Sequence, residues 1–187
     1  MGTGTQVVIG LLRAVNVGGA RKLTSAQLRA TAQSLGYGDV TTYVNSGNVV
    51  LTAPDGGAQA AARVADDLGV ALSAEVSFTV HVITRTAAQW HAAVAAMPFP
   101  DEARDDPAHV VLVAWDGPAA AGAAIDPSRY GRERLHWDGS ELYTYYPDGI
   151  GTSKLTLPVL EKAAGRVGTA RNWRTVLALD ALASERE

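Results

Sequence analysis

Hydrophobic and polar residues alternate along the first half of the chain with the periods of strands and helices. Residues 6–13 place Val7, Ile9 and Leu11 on one face of a strand. Thr24 and Gln27 form a capping box ahead of an apolar helical stripe that ends before residue 37. The pattern then predicts strands at 40–44 and 49–52, a helix at 55–69 and a strand at 76–82. This order, strand, helix, strand, strand, helix, strand, is that of a ferredoxin-like unit.

The second half of the chain repeats this order less completely. It opens with a helix that stops before Pro98, and an acidic connection follows at 99–107. The pattern next predicts strands at 109–115, 133–137 and 141–146, and helices at 118–124, 159–164 and 171–182. We therefore predict an α+β protein of two ferredoxin-like (split βαβ) units packed together. The expected ranges are 1–84 for the N-terminal unit (βαββαβ) and 85–187 for the C-terminal α+β unit (αβαββαα).

Composition narrows the class of protein. The 187 residues are 47% hydrophobic and 19% charged, so the chain can bury a core. It has no cysteine, which excludes disulfides, thiolate metal sites and a thiol nucleophile. No apolar run approaches the roughly 20 residues of a membrane span, and the first residues lack the basic start of a signal peptide. We expect a cytoplasmic protein with no membrane partner.

Charge is unevenly distributed along the chain, which has a net charge of −3. Residues 1–50 carry four basic residues and one acidic residue, whereas residues 51–128 carry three basic and ten acidic residues. Residues 129–187 carry nine basic and eight acidic residues. A local cationic pocket on an acidic body suits a small anionic ligand better than a long polyanion.

Two polar segments near the N-terminus are candidates for such a pocket. In the first, Arg13 supplies charge, Asn16 supplies amide donors, and Gly18 and Gly19 expose backbone N–H groups. The second is a turn with the candidate ligand-binding residues Asn45, Ser46 and Asn48. Both also fit a purely structural role, because Asn and Gly are the residues that tight turns favour. No phosphate-loop or dinucleotide-binding pattern occurs here.

Two further polar segments lie near the C-terminus. Residues 149–154 combine two glycines, two hydroxyls and an amine after a strand, and Ser153 and Lys154 are the candidate ligand contacts. Arg171 and Asn172 are predicted to lie in the first turn of a helix capped by Thr169. Cations there oppose the helix dipole, which is consistent with a bound anion or with an internal salt bridge. Both interpretations stay open.

Four segments resemble the signature blocks of the bacterial domain of unknown function 1697 (DUF1697) family. They are Leu11 to Gly19, Thr42 to Val50, Ser153 to Thr156, and Thr169 to Trp173, in the family's order. One position departs from the family pattern, because Ala14 stands where the family has glycine after the first-strand arginine. The resemblance implies a two-part α+β fold of paired ferredoxin-like units, and it implies no established activity.

Catalytic chemistry is not evident in the sequence. The four histidines are scattered, no metal-binding spacing or nucleophile elbow is present, and no cofactor is indicated. The predicted central strands of the first unit lack the aromatic residues on which RNA-recognition domains stack bases, which argues against a nucleic-acid partner. We expect a binding module for a small anionic or phosphorylated ligand. The alternatives are an enzyme acting on such a ligand, with Lys154 or Ser153 as its reactive group, and a purely structural or interaction protein; a homo-oligomer stays open.

Overall fold

The structure of the protein is a computed structural model, which describes residues 4–16, 21–57 and 59–187. The chain divides into two compact units, Met1–Ala92 with Ala178–Glu187, and Ala93–Leu177. The ranges expected from the sequence place the break earlier and give the last residues to the second unit. They differ because the final helix, Trp173–Ser184, contributes residues to both units.

The first unit is a four-stranded antiparallel sheet with helices after its first and third strands. The elements are β1 (Gln6–Leu12), α1 (Ser25–Ser34), β2 (Gly38–Thr42), β3 (Asn48–Ala53), α2 (Ala60–Glu75), β4 (Val82–Thr86) and the start of α3 (Ala87–Ala95). The strands form the order β2-β3-β1-β4, so β1 and β3 are central. This is the ferredoxin-like arrangement, as predicted.

The core of the first unit lies between the sheet and its two helices. The predicted capping box starts α1, since the Thr24 hydroxyl accepts from the Gln27 N–H and the Gln27 side chain accepts from the Thr24 N–H. Alternate residues of β1 and β3 then pack against the apolar faces of α1 and α2. The fully buried members of this cluster include Val8, Val49, Leu51, Ala32, Val64, Leu68 and Leu72.

The second unit repeats the sheet but not every helix. The elements are α4 (Pro100–Asp105), β5 (Val110–Trp115), β6 (Arg134–Asp138), β7 (Glu141–Tyr145), α5 (Leu157–Ala164), β8 (Gly168–Asn172) and α6 (Trp173–Ser184). The strands form the order β6-β7-β5-β8, and every pair is antiparallel. Where the first unit has α1, the second has only a 3₁₀ turn, Pro127–Arg129. Apolar residues of β5 and β7 pack against α5, and Trp115 stacks on Trp137 with ring centroids 6.1 Å apart.

The end of the first unit differs from the sequence prediction. Helix α2 continues through Gly69 to Glu75, and the following strand starts at Val82 instead of Val76. Val76 and Phe78 pack against the core cluster without joining the sheet, and the Val80 N–H donates to the Ser73 hydroxyl (2.8 Å). The alternation of apolar and polar residues in this connecting segment therefore reflects burial against the core and not pairing in the sheet.

Two connections in the second unit were also predicted incorrectly. The acidic segment expected as an exposed connection forms the short helix α4, with Pro100 in its first turn. No helix forms at 118–124, because its backbone groups bond elsewhere. The Ala119 N–H donates to the Gly139 carbonyl (2.9 Å), and the Ala120 N–H donates to the Ala164 carbonyl (2.8 Å).

Strand β2 forms one edge of the first sheet and is irregular. Its register with β3 shifts between Gly38 and Thr41, and Asp39 has a positive φ of 48°. Arg186 binds this edge from the C-terminal segment. Its Nε donates to the Asp39 carbonyl (3.0 Å) and another guanidinium nitrogen donates to the Thr41 hydroxyl (2.6 Å). The side chain of Arg186 therefore occupies polar groups of the edge strand.

Candidate functional site

Asn16, a candidate ligand contact, cross-links two loops of the first unit. Its Nδ2 donates to the carbonyls of Leu23 (2.7 Å) and Asn45 (2.8 Å), and its Oδ1 accepts from the Leu23 N–H (2.9 Å). Asn16 also has a left-handed φ of 57°, which asparagine adopts more readily than most residues. Both amide hydrogens are used within the protein. Gly18 and Gly19 lie outside the described residues, so their predicted roles stay predictions.

The turn between β2 and β3 is held by the other candidate residues of the first unit. The Asn45 Oδ1 accepts from the Ser25 hydroxyl (2.8 Å). Asn48 is fully buried, and its Nδ2 donates to the Tyr43 carbonyl (3.0 Å) and the Ser46 hydroxyl (2.8 Å). We call residues 45–48 the 45–48 turn; within it, the polar side chains have partners inside the protein.

Gly47 ties the 45–48 turn to the end of β1. Its carbonyl accepts from the Leu12 N–H (2.7 Å), and its φ is 72°. A Cβ at this position would lie 2.6 Å from Val15 Cγ2 and 2.7 Å from Leu12 Cβ, too close for a relaxed contact. Arg13, the residue after Leu12, is half-buried, and its backbone N–H donates to the His81 carbonyl (2.9 Å). The structure therefore brings Asn16 and the 45–48 turn together through mutual hydrogen bonds.

The segment from Thr169 to Asn172 forms a strand and not the predicted start of a helix. Arg171 lies on β8 opposite Leu112, and the helix begins at Trp173. The actual capping residue is Asn172, whose Oδ1 accepts from the Thr175 N–H (3.0 Å). The dipole argument for an anion at Arg171 is therefore wrong, because that side chain does not lie in a helical turn.

Arg171 is a buried guanidinium held by its own strand. It is 9% exposed, and one terminal nitrogen donates to the Thr169 hydroxyl (2.7 Å) and the Ala170 carbonyl (2.8 Å). Burial lowers the pKa of Arg171 to about 10, because removal from water disfavours the charged form. The side chain still carries its charge at neutral pH. Arg171 lies on β8, which pairs with β5, whereas Ser153 and Lys154 lie in the segment that follows β7, on the other side of β5 in the sheet order.

Residues 149–154, called here the 149–154 loop, are anchored at both ends. The Gly149 N–H donates to the Tyr146 carbonyl (3.0 Å), and Gly149 has a φ of 88° that favours glycine. The Thr152 hydroxyl donates to the Asp148 carbonyl (2.8 Å). Ser153 donates its hydroxyl to a carboxylate oxygen of Glu133 and accepts from the Leu155 N–H (3.0 Å). Ser153 therefore has an internal structural role.

The middle of this loop has polar groups without partners in the described part of the chain. Among the described residues, no acceptor is found for the backbone N–H groups of Ile150, Gly151, Ser153 and Lys154. The exposed ammonium of Lys154 likewise forms no hydrogen bond or ion pair with a described residue. The neighbouring carboxylate of Asp148 is paired with Arg132, whose Nε lies 3.1 Å from Asp148 Oδ2. That ion pair lowers the pKa of Asp148 and keeps it ionised.

The space beside Gly151 is open. Its φ is not in the left-handed region, and a Cβ built on it would have no heavy atom within 4 Å. Neither backbone conformation nor packing therefore requires glycine at this position. The loop backbone is accessible from this side.

A histidine and aspartate pair lies beside the start of the loop. His109 Nδ1 is 2.8 Å from Asp106 Oδ2, and the Tyr145 hydroxyl donates to the same oxygen (3.4 Å). Arg134 lies over the Phe99 ring, with 4.7 Å between its guanidinium carbon and the ring centroid, and forms an ion pair with Glu102. Burial, and then the nearby carboxylates, raise the pKa of Tyr145, so its hydroxyl remains a donor at neutral pH.

Comparison with known proteins gives a family for this chain. The family model described as "Protein of unknown function (DUF1697)" matches residues 5–143. The chain belongs to the DUF1697 family. The match includes Asn16 and the 45–48 turn and ends before the 149–154 loop. No curated protein matches this DUF1697 chain.

A solved structure similar to this DUF1697 protein shows the same fold. It is described as the structure of conserved bacterial protein SP0830 from Streptococcus pneumoniae, and the TM-score is 0.71. The two sequences are 19% identical, and the alignment covers 96% of this chain and 99% of the other. At this identity the likeness concerns architecture. It agrees with the two ferredoxin-like units expected from the sequence.

The pairing of His109 with Asp106 in this DUF1697 protein was not predicted, because the four histidines were interpreted as scattered and Asp106 as part of an acidic connection. Their spacing of three positions was the available signal, although it is not specific.

Among the described residues, no group of three His, Asp or Glu side chains could hold a metal ion. Within the same part of the chain, no helix has both the length and the apolar character needed to cross a lipid bilayer.

Proposed function

We propose that this protein is a binding module for a small anionic or phosphorylated ligand, with the 149–154 loop as the contact site. The observation that carries the proposal is that the Lys154 ammonium and four backbone N–H groups of this loop have no partner among the described residues. Amide and ammonium donors of this kind bind phosphate and carboxylate groups.

The acidic side chains near the loop differ in how they are paired. Asp148 forms an ion pair with Arg132, whereas Glu133 has one oxygen that accepts from the neutral Ser153 hydroxyl and one buried oxygen with no partner among the described residues. The Lys154 ammonium likewise has no partner in the described part of the chain. An anion binding there would gain charge-assisted hydrogen bonds without displacing an internal ion pair.

Titration with methyl phosphate, followed through backbone amide NMR signals, tests the proposal. The amides of Ile150, Gly151, Ser153 and Lys154 are expected to shift, because they would donate to the phosphate. Lys154→Ala should weaken binding about tenfold, the effect of one charge-assisted hydrogen bond. The matched control is Lys162→Ala, which removes an exposed lysine from α5 of the same unit and should leave the affinity unchanged.

Two outcomes would overturn the proposal. One is the absence of shifts in the 149–154 loop up to the solubility limit of the protein or the ligand. The other is an equal loss of affinity in the Lys154 and Lys162 variants, which would indicate nonspecific attraction to basic residues.

A structural role is the second candidate, and it applies to the polar residues of the first unit. It is favoured by Asn16 and Asn48, whose amide groups bond within the protein. Under this proposal Arg13 and the 45–48 turn stabilise the end of β1, and ligand contact is confined to the second unit. We place the protein in the cytoplasm, without a nucleic-acid partner.

A further inference from the structure

His109 is held in one orientation by Asp106. Its Nδ1 lies 2.8 Å from Asp106 Oδ2, and the Tyr145 hydroxyl lies 3.4 Å from the same oxygen. The side chains of His109 and Asp106 are 39% and 36% exposed, so ligands can reach the imidazole. An ionised carboxylate only accepts hydrogen bonds, and therefore the Nδ1 of His109 carries a hydrogen.

This arrangement makes Nε2 the acceptor nitrogen of the neutral imidazole. No described residue forms a hydrogen bond with Nε2. The same nitrogen lies 3.6 Å from the position that a Cβ on Gly149 would occupy. It therefore lies within van der Waals range of a side chain at the first residue of the 149–154 loop.

We propose that His109 Nε2 accepts a hydrogen bond from a hydroxyl group of the ligand held by the 149–154 loop. This inference rests on the proposed function and narrows its ligand class. The loop supplies donors for an anionic group, whereas His109 Nε2 supplies an acceptor, which requires a donor on the ligand. Phosphate esters of polyols or sugars carry both groups, but methyl phosphate carries no hydroxyl outside its phosphate group.

The selectivity for hydroxyl-bearing phosphate esters tests this inference. The wild-type protein should bind glycerol 3-phosphate about fivefold to tenfold more tightly than methyl phosphate, the effect of one added hydrogen bond. His109→Ala should remove this preference and leave methyl phosphate affinity unchanged. His81→Ala serves as the control, because it removes an exposed histidine from the first unit.

NMR of the imidazole nitrogens tests independently whether Asp106 sets the tautomer of His109. In the wild-type protein the neutral His109 ring should carry its hydrogen on Nδ1. Asp106→Asn should increase the alternative tautomer, because an asparagine amide can donate to Nδ1, and the preference for glycerol 3-phosphate should fall with it. Dominance of the Nε2–H tautomer in the wild type would overturn the inference.

The remaining results separate this inference from the proposed function. Loop amides that shift with methyl phosphate, combined with equal affinity for the two esters, would retain the binding loop and overturn the role of His109. Absence of binding by either ester would overturn both. A preference that survives His109→Ala would place the hydroxyl contact at another residue.

Discussion

The 45–48 turn and the 149–154 loop have similar composition and opposite hydrogen-bonding states. Both are rich in glycine and in residues with amide or hydroxyl groups. In the turn, Asn48 and Gly47 form hydrogen bonds with neighbouring backbone and side-chain groups, and Asn48 is buried away from water. In the loop, Lys154 and four backbone N–H groups have no partner among the described residues. Composition therefore identifies polar segments, whereas the state of their donors distinguishes a structural segment from a candidate binding segment.

Gly47→Ala should give the largest effect of the three substitutions that test this comparison. The methyl group would overlap Val15 and Leu12, and the left-handed φ adds backbone strain. We expect a loss of about 3 kcal/mol in the free energy of unfolding. Urea denaturation followed through amide signals of the first unit measures it. A loss below about 1 kcal/mol would show that the turn tolerates movement and is not a rigid structural element.

A pair of histidines extends the comparison. Both ring nitrogens of His91 are paired, whereas only Nδ1 of His109 has a partner among the described residues. In the first unit, His91 Nδ1 lies 2.6 Å from Asp180 Oδ1 and Nε2 lies 2.8 Å from Glu187 Oε2. Hydrogen bonds to Asp180 and then to Glu187 raise the pKa of His91 above its usual value of 6.5. The protonated ring should therefore hold the C-terminal segment on α3.

His91→Gln tests that contribution through its pH dependence. Because the folded-state pKa is raised, the stabilisation is fully present below pH 6.5 and is lost as pH rises through the folded-state pKa. The variant should be less stable than wild type by a few tenths to about 1 kcal/mol at low pH, and the difference should vanish at high pH. Thermal unfolding of both proteins across that range measures it.

Asp180→Asn provides the matched control for this titration. It removes the first partner of the imidazole, and NMR should then show a lower pKa for His91 than in the wild type. An unchanged pKa would mean that the ring is not paired in solution as the structure shows.

Gly151→Ala should give the smallest effect, within about 0.5 kcal/mol of wild-type stability. The added methyl group meets no atom within 4 Å, and the backbone conformation suits other residues. Binding of methyl phosphate is the more sensitive measurement here, because the methyl group projects into the space beside the loop. Large destabilisation would place Gly151 in the same class as Gly47 and remove the distinction between the two segments.

Much of the fold could be predicted from periodicity, and the errors have physical causes. The capping box at Thr24 depends on neighbouring residues in the sequence, and the structure confirms it. Strand β8 was missed because Thr169, Arg171 and Asn172 are polar, although two of these side chains are buried. Burial of a polar strand depends on tertiary partners that a local pattern does not contain.

The candidate site was less predictable than the fold. Sequence reasoning selected Asn16 and Lys154 for the same reason, namely polar side chains in glycine-rich segments. The partners of Asn16 are backbone carbonyls seven and twenty-nine positions away, at Leu23 and Asn45. Such long-range bonds decide whether a donor remains available, and a single sequence does not specify them.

The contact between Arg186 and β2 has a consequence for self-association. Outward carbonyl and amide groups of an edge strand are the template on which another molecule can add its own strand and begin a fibre. At Asp39 the register shift bends this template, and the guanidinium occupies its carbonyl. The register shift and the Arg186 contact therefore make this edge a poorer surface for pairing with a strand of another molecule.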